Sequence, residues 1–337
     1  MKKILVTGGC GYIGSHTLVD LLEQGYDPIS IDNLVNADEA ILDNVAAITG
    51  RRVPNYRIDL CEEEALRSFF RQHDDIEGVI HFAALKSVGE SVEQPLRYYR
   101  NNVLGMVNLL ENVRELQISS FIFSSSCSVY GNADELPVTE TTPFGEAESP
   151  YARTKQIGEQ LIHDLARATA GTRFVLLRYF NPAGAHDSGR LGEAPINPAS
   201  NLVPVITEAA IGKRKELVVF GDDYPTRDGS CVRDYIHIMD LADAHTKALK
   251  FLIEGKNAGQ VETFNLGIGE GVSVLEAVHA FEESTGEKSP YRIGPRRPGD
   301  VDAVYASIER TARLLDWRPQ RDIAEIMRTA WEWEKVR

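Results

Sequence analysis

Residues 3–16 read KILVTGGCGYIGSH: an apolar run, a cluster of glycines, then a second apolar pattern of different period. The run "KILVT" is apolar at consecutive positions, as in a strand covered on both faces. From Ile13 to Gln24 the apolar residues fall at helical spacing. Gly8, Gly11 and Gly14 stand at three-residue intervals between the two. A strand that must turn into a helix within so few residues fixes the local path of the chain before anything else is known.

The same texture recurs along the first half. "PISID" (28–32), "GVIHFA" (78–83), "FIFSSS" (121–126) and "FVLLRYF" (174–180) are further buried-strand runs. Helical patterns lie between them, from Glu62 to Gln72, Pro95 to Glu115 and Tyr151 to Ala170. Strand–helix–strand repetition predicts an α/β fold with a doubly wound, Rossmann-type parallel sheet. After Asn181-Pro182 the chain is rich in Gly, Pro and Asn through residue 233. Residues 235–249 return to strand then helix, 263–268 form another strand, and the tail ends in the amphipathic "IAEIMRTAWEWEKV". The expected organisation is a nucleotide-binding domain over 1–181, with 234–264 returning to it. A smaller mixed C-terminal substrate domain would comprise 182–233 and 265–337.

Charge narrows the partners. The 337 residues carry a net charge of −14, which disfavours nucleic acid and anionic membrane surfaces. Cys10, Cys61, Cys127 and Cys231 show no Cys-x-x-Cys or zinc-like spacing, so free thiols, no metal site and a reducing compartment are expected. The apolar run after "MKK" breaks at Gly8-Gly9, too early for a signal peptide, and no stretch approaches the roughly 18 apolar residues of a membrane span. The expected location is cytoplasmic.

Gly9, Gly11 and Gly14 also satisfy G-x-G-x-x-G between a strand and a helix. Such a turn lets backbone approach a pyrophosphate, which the N–H groups of the helix N-terminus then face. Asp32 ends the second strand, 18 residues after Gly14, and can accept hydrogen bonds from ribose hydroxyls while repelling a 2′-phosphate. NAD is therefore favoured over NADP. The competing role for Asp32 is a turn former after a strand.

"SPYARTK" (149–155) places Tyr151 and Lys155 four apart, on one helix face with Cβ atoms about 5–6 Å apart. A free phenol near pKa 10 is a poor base at neutral pH, and lowering it by three units takes roughly 4 kcal/mol. An adjacent ammonium and a positive nicotinamide ring could supply that. Ser124, Ser125 and Ser126 follow a strand at the end where doubly wound sheets bind ligands. Tyr-x-x-x-Lys also occurs on solvated helix faces, and serines after strands also form turns, so the chemistry rests on the combination.

The glycine turn, "SSSCSVYG", "SPYARTK" and "LRYFNPAGAH", in this order, resemble the extended short-chain dehydrogenase/reductase superfamily, and within it the family of UDP-glucose 4-epimerases. The likeness continues through "HFAALKSVGES", "NNVLG", "FGDDYPTRDGSCVRDYIHIMDLADAH", "FNLG" and "RRPGD", nearly the whole chain. It implies an isomerase that interconverts UDP-glucose and UDP-galactose at C4 through a transient 4-keto sugar and bound NAD. By resemblance Tyr151 is the acid/base, Ser126 hydrogen-bonds the sugar 4-hydroxyl, and Lys155 tunes the phenol and touches the ribose. The implied cofactor shell is Gly8, Gly11, Tyr12, Ile13, Gly14, Asp32, Asn33, Asp59, Leu60, Phe82, Ala83, Lys86, Asn101, Tyr151, Lys155 and Phe180. The implied contacts to the UDP-hexose are Lys86, Ser126, Tyr151, Asn181, Asn201, Leu202, Val218, Phe220, Arg233, Arg297, Asp300 and Val304. For Arg233 the bland alternative is an ion pair with its neighbour Asp234. The family commonly forms homodimers through the helices of 95–115 and 151–170.

Two departures stand out. Val304 aligns where some members carry a bulky tyrosine against the sugar 2-position, so UDP-GlcNAc and UDP-GalNAc are further candidate substrates. A one-residue slip would put Tyr305 there instead. Tyr305-Ala306-Ser307 stands where the family often has Tyr-Ala-Asp, and Ser307 is expected to cap a helix. The strongest alternatives are other NAD-dependent nucleotide-sugar epimerases and the 4,6-dehydratases. The latter carry an Asp-Glu pair where Cys127 and Ser128 stand. A non-enzymatic dinucleotide sensor would be expected to lack the tyrosine or lysine.

Overall fold

The computed structural model describes residues 1–196, 198–297 and 300–337. The chain divides into two units, 1–131 with 140–178 and 242–264, and 132–139 with 179–241 and 265–337. Segments 132–139 and 234–241 thus group with the second unit, as do Tyr179, Phe180 and Asn181.

The first unit is built on a seven-stranded sheet: β1 (Lys3–Thr7), β2 (Asp27–Ile31), β3 (Asn55–Tyr56), β4 (Ile76–His81), β5 (Ser120–Ser124), β6 (Arg173–Tyr179) and β7 (Val261–Leu266). Its order is β7-β6-β5-β4-β1-β2-β3, and the neighbours from β3 through β6 pair in parallel. The connection after β1 leads to one side and the connection after β4 to the other. Their carboxyl ends therefore form a topological switch point, where doubly wound sheets bind ligands. The main helices are α1 (Tyr12–Glu23), α2 (Gly105–Glu115), α3 (Pro150–Ala168) and α4 (Ile238–Ile253). Leu5, Val79, Phe121 and Phe174 from the strands pack with Leu66, Phe70, Leu109 and Ile162 from helices in one core. This is the doubly wound parallel sheet expected from the apolar runs.

Two local expectations need correction, and one helix lay outside them. Residues 95–115 are not one α-helix: Pro95–Tyr98 and α2 flank a wide, π-helical turn over Tyr99–Leu104. The turn buries Asn102, whose side chain bonds both backbone groups of Leu85 (2.8 and 3.0 Å) and the Thr154 hydroxyl (3.1 Å). Ser307 does not cap a helix, because its N–H donates to the Val138 carbonyl (2.8 Å) and the helix begins at Glu309. Helix Ile41–Thr49 was not marked by the apolar pattern at all.

The second unit has its own core, in which Val203, Ile206, Val219, Phe281 and Met327 meet Trp331 of the C-terminal helix Ile323–Glu334. Here the alternative pairing of Arg233 with Asp234 does not form, and Arg233 contacts Asp300. Asp234 is fully buried and accepts three backbone N–H bonds instead, from Ile268 (2.7 Å), Ala306 (3.1 Å) and Gly269 (3.3 Å). Burial pushes its carboxyl up to about 7, against the pull of those donors. A raised folded pKa means that its stabilisation is complete below the free value of 3.8 and is lost as pH rises through about 7. Asp234→Asn would turn an amide N–H toward these donors and orphan at least one of them, at a cost of about 1–3 kcal/mol. The expected result is a melting temperature lowered by several degrees; an unchanged one would mean that the three contacts contribute nothing net.

Candidate active site

The glycine turn begins where β1 ends. Gly8 has φ +75°, and a Cβ there would meet the Ala83 N at 2.8 Å, so the ends of β1 and β4 touch. A Cβ on Gly14 would lie 2.1 Å from the Gly8 carbonyl oxygen, so bareness at 14 lets α1 sit against the strand. Gly11 differs: its Cβ would meet no atom but the Gly8 carbonyl oxygen, at 3.2 Å. It is the N-cap of α1, with no side-chain cap and no acidic residue in the first turn. Apart from that one tight contact the space is open, so close backbone approach by an anionic ligand is the candidate use of this glycine. Tyr12 and Ile13 open α1, half-buried.

Asp32 lies just past β2, buried, accepting from Cys10 N (3.1 Å) and Leu34 N (2.9 Å). It is therefore a turn former as well as a candidate ribose acceptor, and burial raises its carboxyl above the ordinary range. Asn33 donates to Asp59 (3.1 Å), beside buried Leu60. These carboxylates and amides sit together at the β2–β3 end of the sheet. Phe82 and Ala83 continue β4, with the Phe82 ring packed 4.7 Å from that of His245. Lys86 is exposed, and Asn101 donates to Asn102 (2.9 Å).

β5 delivers Ser124, Ser125 and Ser126, all buried. Ser126 caps a short 3-10 helix, Cys127–Tyr130, by accepting from Ser128 N (3.2 Å). Ser149 caps α3 through Ala152 N (3.2 Å), and Pro150 opens the helix, so Tyr151 and Lys155 stand one turn apart near its start. Tyr151 is half-buried and Lys155 is buried. The ammonium donates to the Ser124 carbonyl (2.7 Å) and lies 5.1 Å from the Phe123 ring and 5.9 Å from the Tyr151 ring. Burial lowers its pKa to about 8, opposed by the charge of Glu159. His81 beside it is neutral: burial and Lys155 lower it to about 3, and its Nδ1 meets the Thr7 hydroxyl at 2.7 Å. The Tyr-Lys pair is thus tied to the serine segment and is no solvated stripe.

The second unit holds the remaining candidates. Arg233 and Arg297 converge on Asp300, through Nη2 contacts to Oδ1 at 3.4 and 2.7 Å. Arg233 also donates to the Val232 and Val301 carbonyls. Its register partner is Val304, 8 % exposed. Val218 and Phe220 share the outward face of a strand, and the Arg297 guanidinium lies 5.6 Å from the Phe220 ring. Asn201 precedes Leu202 at a helix start and donates to Glu193 (2.8 Å). Asn181 lies in a short strand after buried Phe180.

Comparison with known proteins identifies the family. A family model described as GDP-mannose 4,6 dehydratase matches residues 5–330. The UDP-glucose 4-epimerase of Erwinia amylovora is 49 % identical, over 98 % of this chain and 97 % of that protein. The mouse (Mus musculus) UDP-glucose 4-epimerase is 47 % identical, over 99 % and 97 %. This chain belongs to the UDP-glucose 4-epimerase family. The Stenotrophomonas maltophila UDP-glucose 4-epimerase, crystallised with NAD and formylated UDP-arabinopyranose, has a TM-score of 0.96 at 43 % identity, covering 100 % of this chain and 98 % of that one. The UDP-Glc/GlcNAc 4-epimerase of Campylobacter jejuni has a TM-score of 0.85 at 35 % identity, with 99 % of each chain covered.

Several residues around the epimerase-like site escaped the sequence analysis. Asn102 clasps Leu85 to α3, and Glu159 and Arg178 form a buried pair next to Ser125. The signal for Glu159 was its place one turn beyond Lys155, at i+4 and i+8 from the two candidates. Among the described residues, no cluster of three or more metal-ligating side chains occurs and no helix is long and apolar enough to cross a membrane.

Proposed function

We propose that Tyr151, Ser126 and Lys155 carry out the C4 epimerisation of UDP-glucose and UDP-galactose in this chain. The supporting observation is the buried ammonium of Lys155, held on the Ser124 carbonyl one helical turn from Tyr151, in a chain 49 % identical to a UDP-glucose 4-epimerase. Tyr151 accepts the 4-hydroxyl proton and later returns it. Ser126 hydrogen-bonds the same oxygen and fixes its direction. Lys155 lowers the proton affinity of the phenol. NAD, when bound, takes the C4 hydride and gives it back to the opposite face of the sugar, so no net redox results.

The glycine turn of Gly8, Gly11 and Gly14 would hold the pyrophosphate of NAD, with Tyr12 and Ile13 at the helix start. Asp32, Asn33, Asp59 and Leu60 would surround adenosine. Phe82, Ala83, Lys86, Asn101, Lys155 and Phe180 would line the rest. Apart from Phe180, these NAD contacts fall in the first unit, whereas the further contacts to the UDP-sugar fall in the second. There Arg233 and Arg297 would exchange Asp300 for diphosphate oxygens, while Phe220 and Val218 pack uracil and Asn181, Asn201 and Leu202 complete the contacts. We further assign a homodimer through α2 and α3, whose shared groove is lined by Val107, Leu110, Leu161 and Leu165 with Glu111 and Arg114. A cytoplasmic location follows from the expected substrate and cofactor.

The C. jejuni relative's name includes UDP-GlcNAc, and Val304 leaves a small side chain where some family members carry a tyrosine. An NMR time course on UDP-glucose and UDP-GlcNAc in parallel tubes tests both levels. Conversion of UDP-glucose to UDP-galactose without stoichiometric NADH absorbance is expected; a dehydratase or net oxidoreductase would accumulate a keto product or NADH. UDP-GlcNAc is expected to turn over too, and Val304→Tyr to abolish that activity while sparing UDP-glucose. Failure of the unmodified chain on UDP-GlcNAc would remove the Val304 argument alone.

A further inference from the structure

Among the fully buried ionisable groups that the mechanism leaves unused, Glu159 lies next to the catalytic pair. Glu159 is 0 % exposed and lies on the same face of α3 as Tyr151 and Lys155. Arg178 grips it through Nη2 (2.6 Å) and Nε (2.9 and 3.2 Å). The Ser125 hydroxyl donates a short hydrogen bond to Glu159 Oε1. Arg178 Nη1 reaches the Tyr130 hydroxyl (3.1 Å), and its guanidinium packs 5.0 Å from the Tyr130 ring and 5.2 Å from the Phe144 ring. Ser125 precedes Ser126, and Tyr130 ends the 3-10 helix that Ser126 caps. The turn carrying Ser126 is therefore held at both ends by the two members of one ion pair.

Stability does not account for this arrangement. Apolar side chains of similar volume often serve a core as well as a buried ion pair, because desolvation offsets the Coulomb gain. What an apolar pair would not do is grip two hydroxyls and place a negative charge one turn from Lys155. We propose that Glu159, seated on Arg178, is a positioning residue for the C4 chemistry: the pair fixes the Ser126 turn and keeps Lys155 charged beside Tyr151. The groups facing Lys155 are the Ser124 carbonyl and Phe123 ring from β5, neutral His81 from β4, and Tyr151 and Glu159 from α3. His245 of α4 touches the Ser124 hydroxyl at 3.4 Å. Glu159 is the group among these that opposes the loss of the Lys155 proton.

This inference rests on the epimerase reading, and the test separates the two. Lysine labelled with 13C at Cε, with Lys155 assigned by the signal missing in Lys155→Met, reports its titration in the NAD-loaded protein without turnover. Glu159→Gln is expected to lower that midpoint by about one pH unit or more. It is also expected to reduce kcat by about tenfold or more, with KM for UDP-galactose changed less than about threefold. The double variant Glu159→Leu/Arg178→Met guards against simple misfolding. It should regain the melting temperature of the unmodified protein and stay slow. An unmoved Lys155 midpoint in Glu159→Gln, or a double variant that recovers kcat along with stability, would overturn the proposal. Inactivity of the unmodified chain on UDP-galactose would sink the epimerase reading and leave the titration result standing.

Discussion

Tyr151→Phe is expected to lower kcat for UDP-galactose by about three orders of magnitude while the protein keeps its fold and its NAD. The substitution removes one oxygen from a half-buried ring at the start of α3 and leaves the capping Ser149 and the Lys155–Ser124 bond in place. General acid–base catalysis by a positioned group contributes typically about 10²- to 10⁴-fold. The pH profile adds a sign. Burial lowers the Lys155 pKa to about 8, so its charge is expected to be lost as pH rises through that value. The unmodified enzyme should slow as pH rises through this range, because the phenolate then lacks its counter-charge. Single-turnover reduction of bound NAD, read at the NADH band, checks the chemical step. A rate for Tyr151→Phe within about tenfold of the parent would remove the tyrosine from the mechanism.

Gly14→Ala is expected to have the second large effect, on cofactor retention and folding together. The added Cβ would lie 2.1 Å from the Gly8 carbonyl oxygen and 2.8 Å from the Gly9 Cα, both backbone atoms that cannot rotate away. Either α1 withdraws from β1 or the glycine turn opens, and both outcomes spoil the anion cradle. The protein should purify without NAD, with a lowered melting temperature, or fail to fold. Gly11→Ala makes an informative partner, because its Cβ would have a single neighbour at 3.2 Å. It should stay folded and lose affinity for NAD. Absorbance of released nucleotide after denaturation measures both. Full NAD occupancy in Gly14→Ala would show that the cradle is elsewhere.

What could be read in advance followed from locality. β1, β2, β4, β5 and β6 announced themselves because strands covered on both faces need runs of consecutive apolar residues. Tyr151 and Lys155 were visible because i and i+4 are neighbours on any helix. β3 was missed because Asn55–Tyr56 is two residues long and carries no period. The π turn at Tyr99–Leu104 was hidden since apolar spacing does not distinguish one widened turn from a regular one. Arg178 and Glu159 stand 19 positions apart on a strand and a helix, so only the folded packing of β6 on α3 joins them. The preference of Arg233 for Asp300 over the adjacent Asp234 had the same origin: Asp234 is saturated by N–H groups from two distant loops.

If Arg233 and Arg297 bind the diphosphate as proposed, their meeting on Asp300 would act as a valence filter. Two guanidiniums and one carboxylate leave a single surplus positive charge, already hydrogen-bonded. A singly charged visitor that displaced Asp300 would merely swap one anion for another and strand the displaced carboxylate. A ligand bearing two negative charges would instead neutralise both guanidiniums once Asp300 is displaced. On that assignment, abundant monoanions in the surrounding fluid would be poor competitors for this spot.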